Sequence, residues 1–266
     1  MSNQLAFAQD ASLKIVQVNE QRHTGDVENR MSIIVAVESL KIDADHLIQI
    51  KGSPLIIDNT GTVLAPFKNY PYGGYFQSDK EISIGFKAPR RNVTEIKKIQ
   101  GTLEYFTISE ANKSKVILPN FINQPNENLL AGTPPLKLVL IDYNEMKKVY
   151  GTDNYYPEIK RIQQEVGIGK TIEETDVFFR ELFYFQNNNS VQDLNFYIED
   201  PDKIIHKLAV YNAYGKKINV TYSNSGNHYR ISLSEEPLPD WKLEIHLKTK
   251  AAIKEIPFQF NTIKLP

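Results

Sequence analysis

Trp241-Lys242-Leu243-Glu244-Ile245-His246-Leu247-Lys248-Thr249 is the stretch that decides the fold class. Leu243, Ile245 and Leu247 alternate with Glu244, His246 and Lys248, the period-two pattern of a strand with one apolar face and one wet face. Working outward, the same signal recurs at Ile253–Phe260 and, upstream, at Leu136–Ile141, Val177–Phe185, Leu194–Ile198, Ile204–Tyr211, Ile218–Tyr222 and His228–Ser234. The first half carries it at Ser12–Val18, Met31–Leu40, Leu47–Ile50, Leu55–Ile57, Glu81–Phe86, Gly101–Ile108 and Lys115–Phe121. Turn formers separate these runs, as in Lys51-Gly52-Ser53-Pro54, Asp58-Asn59-Thr60-Gly61 and Ala88-Pro89. Short strands with frequent turns indicate antiparallel sheets in a sandwich or barrel, not a βαβ array.

Asn123–Pro135 (NQPNENLLAGTPP) interrupts the pattern and reads as an interdomain linker. The halves on either side look like copies of one module. Ser12-Leu13-Lys14-Ile15-Val16 matches Pro135-Leu136-Lys137-Leu138-Val139. Leu103-Glu104 precedes Val116 by the same spacing as Leu243-Glu244 precedes Ile256, and the turn Asp58-Asn59-Thr60-Gly61 matches Asn212-Ala213-Tyr214-Gly215. The offset between matched positions grows from the first pair to the hairpin, which places an insertion of about 31 residues in the second copy between Val139 and Asn212. That interval holds a helix signal. Pro157 suits a first turn, Ile159, Ile162 and Val166 have helical spacing, Gly167 suits the position after the last turn, and Asp153 or Asn154 suits its cap.

Each module is roughly 110–130 residues with about seven strands, a size that resembles the immunoglobulin-like sandwich in architecture. The expected fold is all-β: two tandem immunoglobulin-like antiparallel β-sandwich domains, over 12–122 and 136–266, joined by a linker at 123–135. The second carries a short helical insertion around 152–176. The Cys…Trp…Cys core of antibody domains is missing, because the chain has no Cys.

Composition narrows the function. The 266 residues carry 31 Lys+Arg against 32 Asp+Glu, with 41% hydrophobic residues. That balance is unlike a disordered chain or a general nucleic-acid binder. No apolar run approaches the roughly 18 residues of a membrane span. Zero Cys removes disulfide scaffolds, thiolate zinc sites and cysteine nucleophiles. It also leans toward a secreted, periplasmic or cell-surface location. Ala6-Phe7-Ala8 has the small-residue form that ends an export signal, but the basic and apolar regions of such a signal are missing, which favours an ordinary polar tail.

The most unusual stretch is Asn69-Tyr70-Pro71-Tyr72-Gly73-Gly74-Tyr75-Phe76. Rigid aromatic rings on Tyr70, Tyr72, Tyr75 and Phe76 suit stacking on sugar rings or gripping a peptide, and the alternative is a loop that covers a sandwich edge. Tyr155 and Tyr156, with Tyr150, form a second aromatic cluster at the front of the insertion. Glu173, Glu174, Asp176 and Asp153 offer oxygens for Ca²⁺ or an acid/base pair, but the spacing is not that of an EF-hand, and a solvated acidic turn is the simpler reading. Gly167-Ile168-Gly169-Lys170-Thr171 lacks the first Gly of a phosphate-binding loop, where Gln164 stands. Asp58-Asn59-Thr60-Gly61 differs from an aspartic-protease Asp-Thr-Gly by the intervening Asn, and a hairpin explains it. His23, His46, His206, His228 and His246 have no metal-ligand spacing, and His246 is expected on the wet face of its strand. Asn92-Val93-Thr94 and Asn219-Val220-Thr221 match the glycosylation pattern.

The expectation is therefore a non-catalytic secreted or cell-envelope protein with a binding, adhesion or structural role and no cofactor or metal. The partner is open: a glycan or another envelope protein, not nucleic acid, and the chain is not membrane-spanning. Alternatives are a carbohydrate-binding accessory protein using the loop tyrosines, and a hydrolase using carboxylates of the insertion.

Overall fold

The computed structural model describes residues 12–24, 28–67, 76–186 and 193–265. In chain order the strands are β1 (Leu13–Gln21), β2 (Arg30–Val37), β3 (His46–Ile50), β4 (Leu55–Asp58), β5 (Glu81–Lys87), β6 (Glu95–Thr107), β7 (Lys115–Pro119) and β8 (Lys137–Leu140). The helices α1 (Tyr143–Val149), α2 (Tyr155–Glu165) and α3 (Ile172–Gln186) follow. Six strands complete the chain: β9 (Asp193–Glu199), β10 (Ile205–Tyr211), β11 (Val220–Ser225), β12 (His228–Leu233), β13 (Lys242–Leu247) and β14 (Ile253–Lys264). The protein is mostly β, with 45% strand and 14% helix, and its sheets are antiparallel.

The chain divides into two compact units. Unit 1 holds the chain up to Ser114 together with Lys248–Pro266, and unit 2 is the continuous segment Lys115–Leu247. This boundary differs from the expected 12–122 and 136–266, because β14 pairs with β6 of unit 1 along almost its whole length, from Ile253↔Phe106 to Lys264↔Glu95. Residues 123–135 do not behave as a free linker either. Leu129 and Leu130 are buried in the unit 2 core, and Asn128 Oδ1 accepts from Leu130 N (3.0 Å) and Leu138 N (3.1 Å).

Unit 1 has one sheet in the order β1-β2-β5 and a second in the order β14-β6-β3, with β4 also on β6. Period-two alternation aims Met31, Ile33 and Val35 of β2 and Ile82, Ile84 and Phe86 of β5 inward. They share one core with Ile48 and Ile50 of β3, Ile99 and Leu103 of β6, and Ile256 of β14.

Unit 2 has the sheets β10-β13-β7 and β11-β12-β9-β8. Leu243, Ile245 and Leu247 of β13 face Leu138 and Leu140 of β8 and Leu194 and Phe196 of β9, with Trp241 in the same core. The sheet β11-β12-β9-β8 is covered on its other face too. Val139, Ile141 and Tyr197 pack against Ile159 and Ile162 of α2 and Phe178, Phe179 and Leu182 of α3. Unit 2 is therefore three layers deep around β8 and β9.

The helical insertion is where expected but larger, and Val177–Phe185 lies in α3, not in a strand. Its buried residues Phe178, Phe179, Leu182 and Phe183 stand one and four apart, so a helix puts them on one face where a strand would split them. The helix α2 lies where expected and begins after Asn154, but the Asn154 side chain makes no capping hydrogen bond. Gly167 follows it at φ +74°, and its N–H donates to Ile162 O (3.2 Å).

The two matched turns have the same hydrogen bonds. Asp58 Oδ1 accepts from Thr60 N and Thr62 N (both 2.9 Å), and Asn212 Oδ1 accepts from Tyr214 N (3.1 Å) and Lys216 N (3.0 Å). Gly61 N donates to Asp58 O and Gly215 N to Asn212 O, and both glycines have the positive φ that this corner requires. Beyond the turn, Leu64 N donates to Ile56 O and Ile218 N to Val210 O, each at 2.9 Å.

Candidate functional site

A concavity with a volume of about 680 Å³ lies on the β1-β2-β5 sheet of unit 1. Its lining comes from the same alternation that builds the core. Where Met31 and Ile33 of β2 and Ile84 of β5 point inward, Arg30, Ser32 and Ser83 point away, and Asn19 and Gln21 of β1 join them. Register sets these side chains side by side: Asn19 is opposite Ser32, Gln21 opposite Arg30, and Ser32 opposite Gly85. Gly85 contributes no side chain, which lowers the floor between polar neighbours. The Arg30 guanidinium lies 4.1 Å from the centroid of the Phe67 ring, which stands at the border of the groove.

The lining combines the amide and hydroxyl groups of Asn19, Gln21, Ser32 and Ser83 with one carboxylate, Glu20, one guanidinium, Arg30, the apolar Val18 and Met31, and one aromatic ring. It has donors and acceptors for a polar chain and no pair of carboxylates set for acid–base work. These residues escaped the sequence reading because polar positions alternating with apolar ones are also what any solvated sheet face shows.

Of the sequence candidates, Tyr70, Tyr72 and Tyr75 lie outside the described residues. Phe76 is buried, 5.0 Å from the Phe106 ring and in a small core cluster of unit 1 with Leu47 and Ile108. Tyr155 is buried in unit 2, where its hydroxyl donates to Asp176 Oδ1 (2.9 Å). Tyr156 is 56% exposed, with Arg180 Nη2 at 3.4 Å from its hydroxyl. Phe76 and Tyr155 thus serve packing, while Tyr156 and Tyr150 of the same cluster are exposed.

Two of the insertion's candidate acids, Asp176 and Glu174, are likewise engaged. Asp176 pairs with Arg180 (2.7 Å), and Glu174 Oε2 accepts from Lys170 N (2.7 Å) at the start of α3. Among the described residues no three His, Cys, Asp or Glu side chains gather as a metal site. Gly169 sits where a Cβ would approach Thr175 N to 2.9 Å, so this glycine serves a tight α2–α3 corner.

Two histidines are placed differently from expectation or carry more structure than it implied. His246 and Glu244 were expected on a wet face, yet they are only 6% and 9% exposed. His246 Nε2 lies 2.8 Å from Glu244 Oε1, and Lys115 Nζ lies 3.0 Å from Glu244 Oε2. Burial pushes the His246 pKa down, against the pull of Glu244. His228 is buried on the helix-facing side of β12 between Asn195 and the Phe178 ring.

No helix among the described residues is long and apolar enough to cross a membrane. Comparison with protein-family models, with curated proteins and with solved structures finds no match to this chain.

Proposed function

We propose that this is a non-catalytic binding protein of the secreted space or cell envelope, built from immunoglobulin-like units, with the groove on β1-β2-β5 as its ligand site. The groove carries the reading. Amides and hydroxyls beside one carboxylate, one arginine and one aromatic ring suit a polyhydroxylated chain such as a glycan, which takes hydrogen bonds from polar side chains and stacks on a ring. The absence of Cys supports the extracytoplasmic placement only in that the fold uses no thiol.

Strand order supports the immunoglobulin-like part. In unit 2, β8, β9, β12 and β11 take the places of strands A, B, E and D, and β10, β13 and β7 those of C, F and G. In unit 1, β1, β2 and β5 stand for A, B and E, and β3 with β4, β6 and β14 for C, F and G. The helices of unit 2 then fall between A and B.

The test is a thermal-shift titration of the full chain with soluble cello-, xylo-, manno- and chito-oligosaccharides, repeated on Asn19→Ala/Ser32→Ala. A ligand at about 100 times its Kd adds about 2.7 kcal/mol of stability, a shift of several degrees. The expected result is a shift with one sugar class that the double variant loses. A shift that the double variant keeps, or none at millimolar sugar, overturns the glycan groove.

A further inference from the structure

We infer that the two units are copies of one seven-strand module that have exchanged their last strands. The inference rests on the strand assignments above and not on any ligand. In a simple module, strand F turns back and pairs with the G strand that follows it. Here β6 is followed by β7, but β7 pairs with β13, through Val116↔Ile245 and Leu118↔Leu243. Correspondingly β13 is followed by β14, but β14 pairs with β6, through Ile256↔Leu103 and Glu255↔Glu104.

The matched sequence positions make this a reciprocal exchange and not a simple insertion. Leu103-Glu104 and Leu243-Glu244 occupy equivalent places on the two F strands. Both glutamates lie on the face turned from the core and are largely buried, and each is held by polar side chains. Gln49 Nε2 donates to Glu104 Oε2 (2.5 Å), and Tyr211, His246 and Lys115 surround Glu244. Val116 and Ile256 follow those positions at equal spacing, yet each completes the sheet of the other copy. The departing segments are fixed by hydrogen bonds inside unit 1: Thr107 N donates to Ala252 O (2.9 Å), and Thr249 Oγ1 donates to Asn112 O (3.0 Å). Exchange of a terminal element between identical modules needs no new kind of contact, since the acceptor edge is the same in both. Its consequence is mutual dependence. A cut at residues 123–135, which would release two whole domains from a simple tandem, here leaves each piece holding the other's final strand.

The experiment uses the full chain with a site-specific protease site inserted between Ala131 and Gly132, both exposed. After cleavage the two pieces are expected to co-elute on gel filtration at the size of one intact chain. The chain has no Cys, so paired cysteines report register directly. Glu104→Cys/Glu255→Cys is expected to oxidise and tie the two pieces together on a non-reducing gel, while Glu104→Cys/Ile117→Cys, the pair an unexchanged module would bring together, stays reduced. Two folded pieces that separate, preferential oxidation of the 104/117 pair, or a disulfide joining two copies of the chain overturns the exchange. If the inserted site prevents folding, peptide mapping of the two cysteine pairs in the uncut chain decides by the same criteria. No sugar binding by the unaltered chain, together with a formed 104/255 bridge, would sink the proposed function and leave the exchange standing.

Discussion

His228 Nε2 lies 3.0 Å from Asn195 Oδ1, between the strands β12 and β9 and beneath the Phe178 ring of α3. The Asn195 oxygen accepts, so Nε2 donates. Burial, and secondarily the charge of Arg230, pushes the His228 pKa down to about 4 from 6.5. Between those values the unfolded chain takes up a proton that the folded chain refuses. The contribution to stability is therefore complete above about pH 6.5, declines as pH falls through the window, and is fully lost below about 4. The span is on the order of 3 kcal/mol. Urea unfolding of the wild type should show this decline between pH 7 and 4.5, and His228→Gln should flatten it. Equal slopes in the two proteins would rule out His228 as the source.

Asp58 is 2% exposed, and its carboxylate accepts from Thr60 N, Thr60 Oγ1 and Thr62 N. Desolvation opposes its charge, but these hydrogen bonds prevail and hold the pKa below its ordinary value. Asn212 makes the same turn with a neutral, half-buried side chain. Asp58→Ala should cost about 2–3 kcal/mol in denaturant unfolding and Asn212→Ala about 1 kcal/mol or less. Equal losses would show that charge and burial add nothing to the turn of unit 1.

Gly169 and Gly215 both have positive φ, +72° and +76°, and differ in their surroundings. A Cβ at Gly215 meets nothing within 4 Å, whereas at Gly169 it meets the Thr175 backbone. Gly215→Ala should cost about 1 kcal/mol from backbone strain alone. Gly169→Ala should cost clearly more, read as a larger drop in the unfolding midpoint at unchanged m-value.

The neighbouring tyrosines Tyr155 and Tyr156 should separate cleanly. Tyr155→Phe removes the buried hydrogen bond to Asp176 and should lower stability by about 1–2 kcal/mol. Tyr156→Ala, at an exposed position beside Arg180, should stay within about 0.5 kcal/mol of the wild type. Neither should change oligosaccharide binding, since neither lines the groove.

Much of the architecture is local and was legible. The alternation of Trp241–Thr249, the corner at Asp58–Gly61 and its partner at Asn212–Gly215, and the helix ending before Gly167 all follow from short-range spacing. Val177–Phe185 misled because a run of bulky apolar residues is strand-like in composition, and only the placement of Phe178, Phe179, Leu182 and Phe183 reveals a helical face. The partner of β14 was not legible. Ile253–Phe260 has the same pattern whichever F strand receives it, so the unit boundary lay beyond local reasoning. Glu244 and His246 illustrate the same limit, since alternation marks a polar face without saying what covers it. The groove residues Asn19, Ser32 and Ser83 became visible only when register brought three strands into line.

Lys115, the first residue of unit 2, stands opposite His246, next to its last. The chain thus enters and leaves unit 2 on neighbouring strands of one sheet. A pull applied to β1 and β14 therefore loads unit 1, with β1 in one of its sheets and β14 in the other. It finds no lever arm across unit 2, whose two attachment points hold each other. Under tension unit 1 should yield first, and the helix-bearing unit should remain folded.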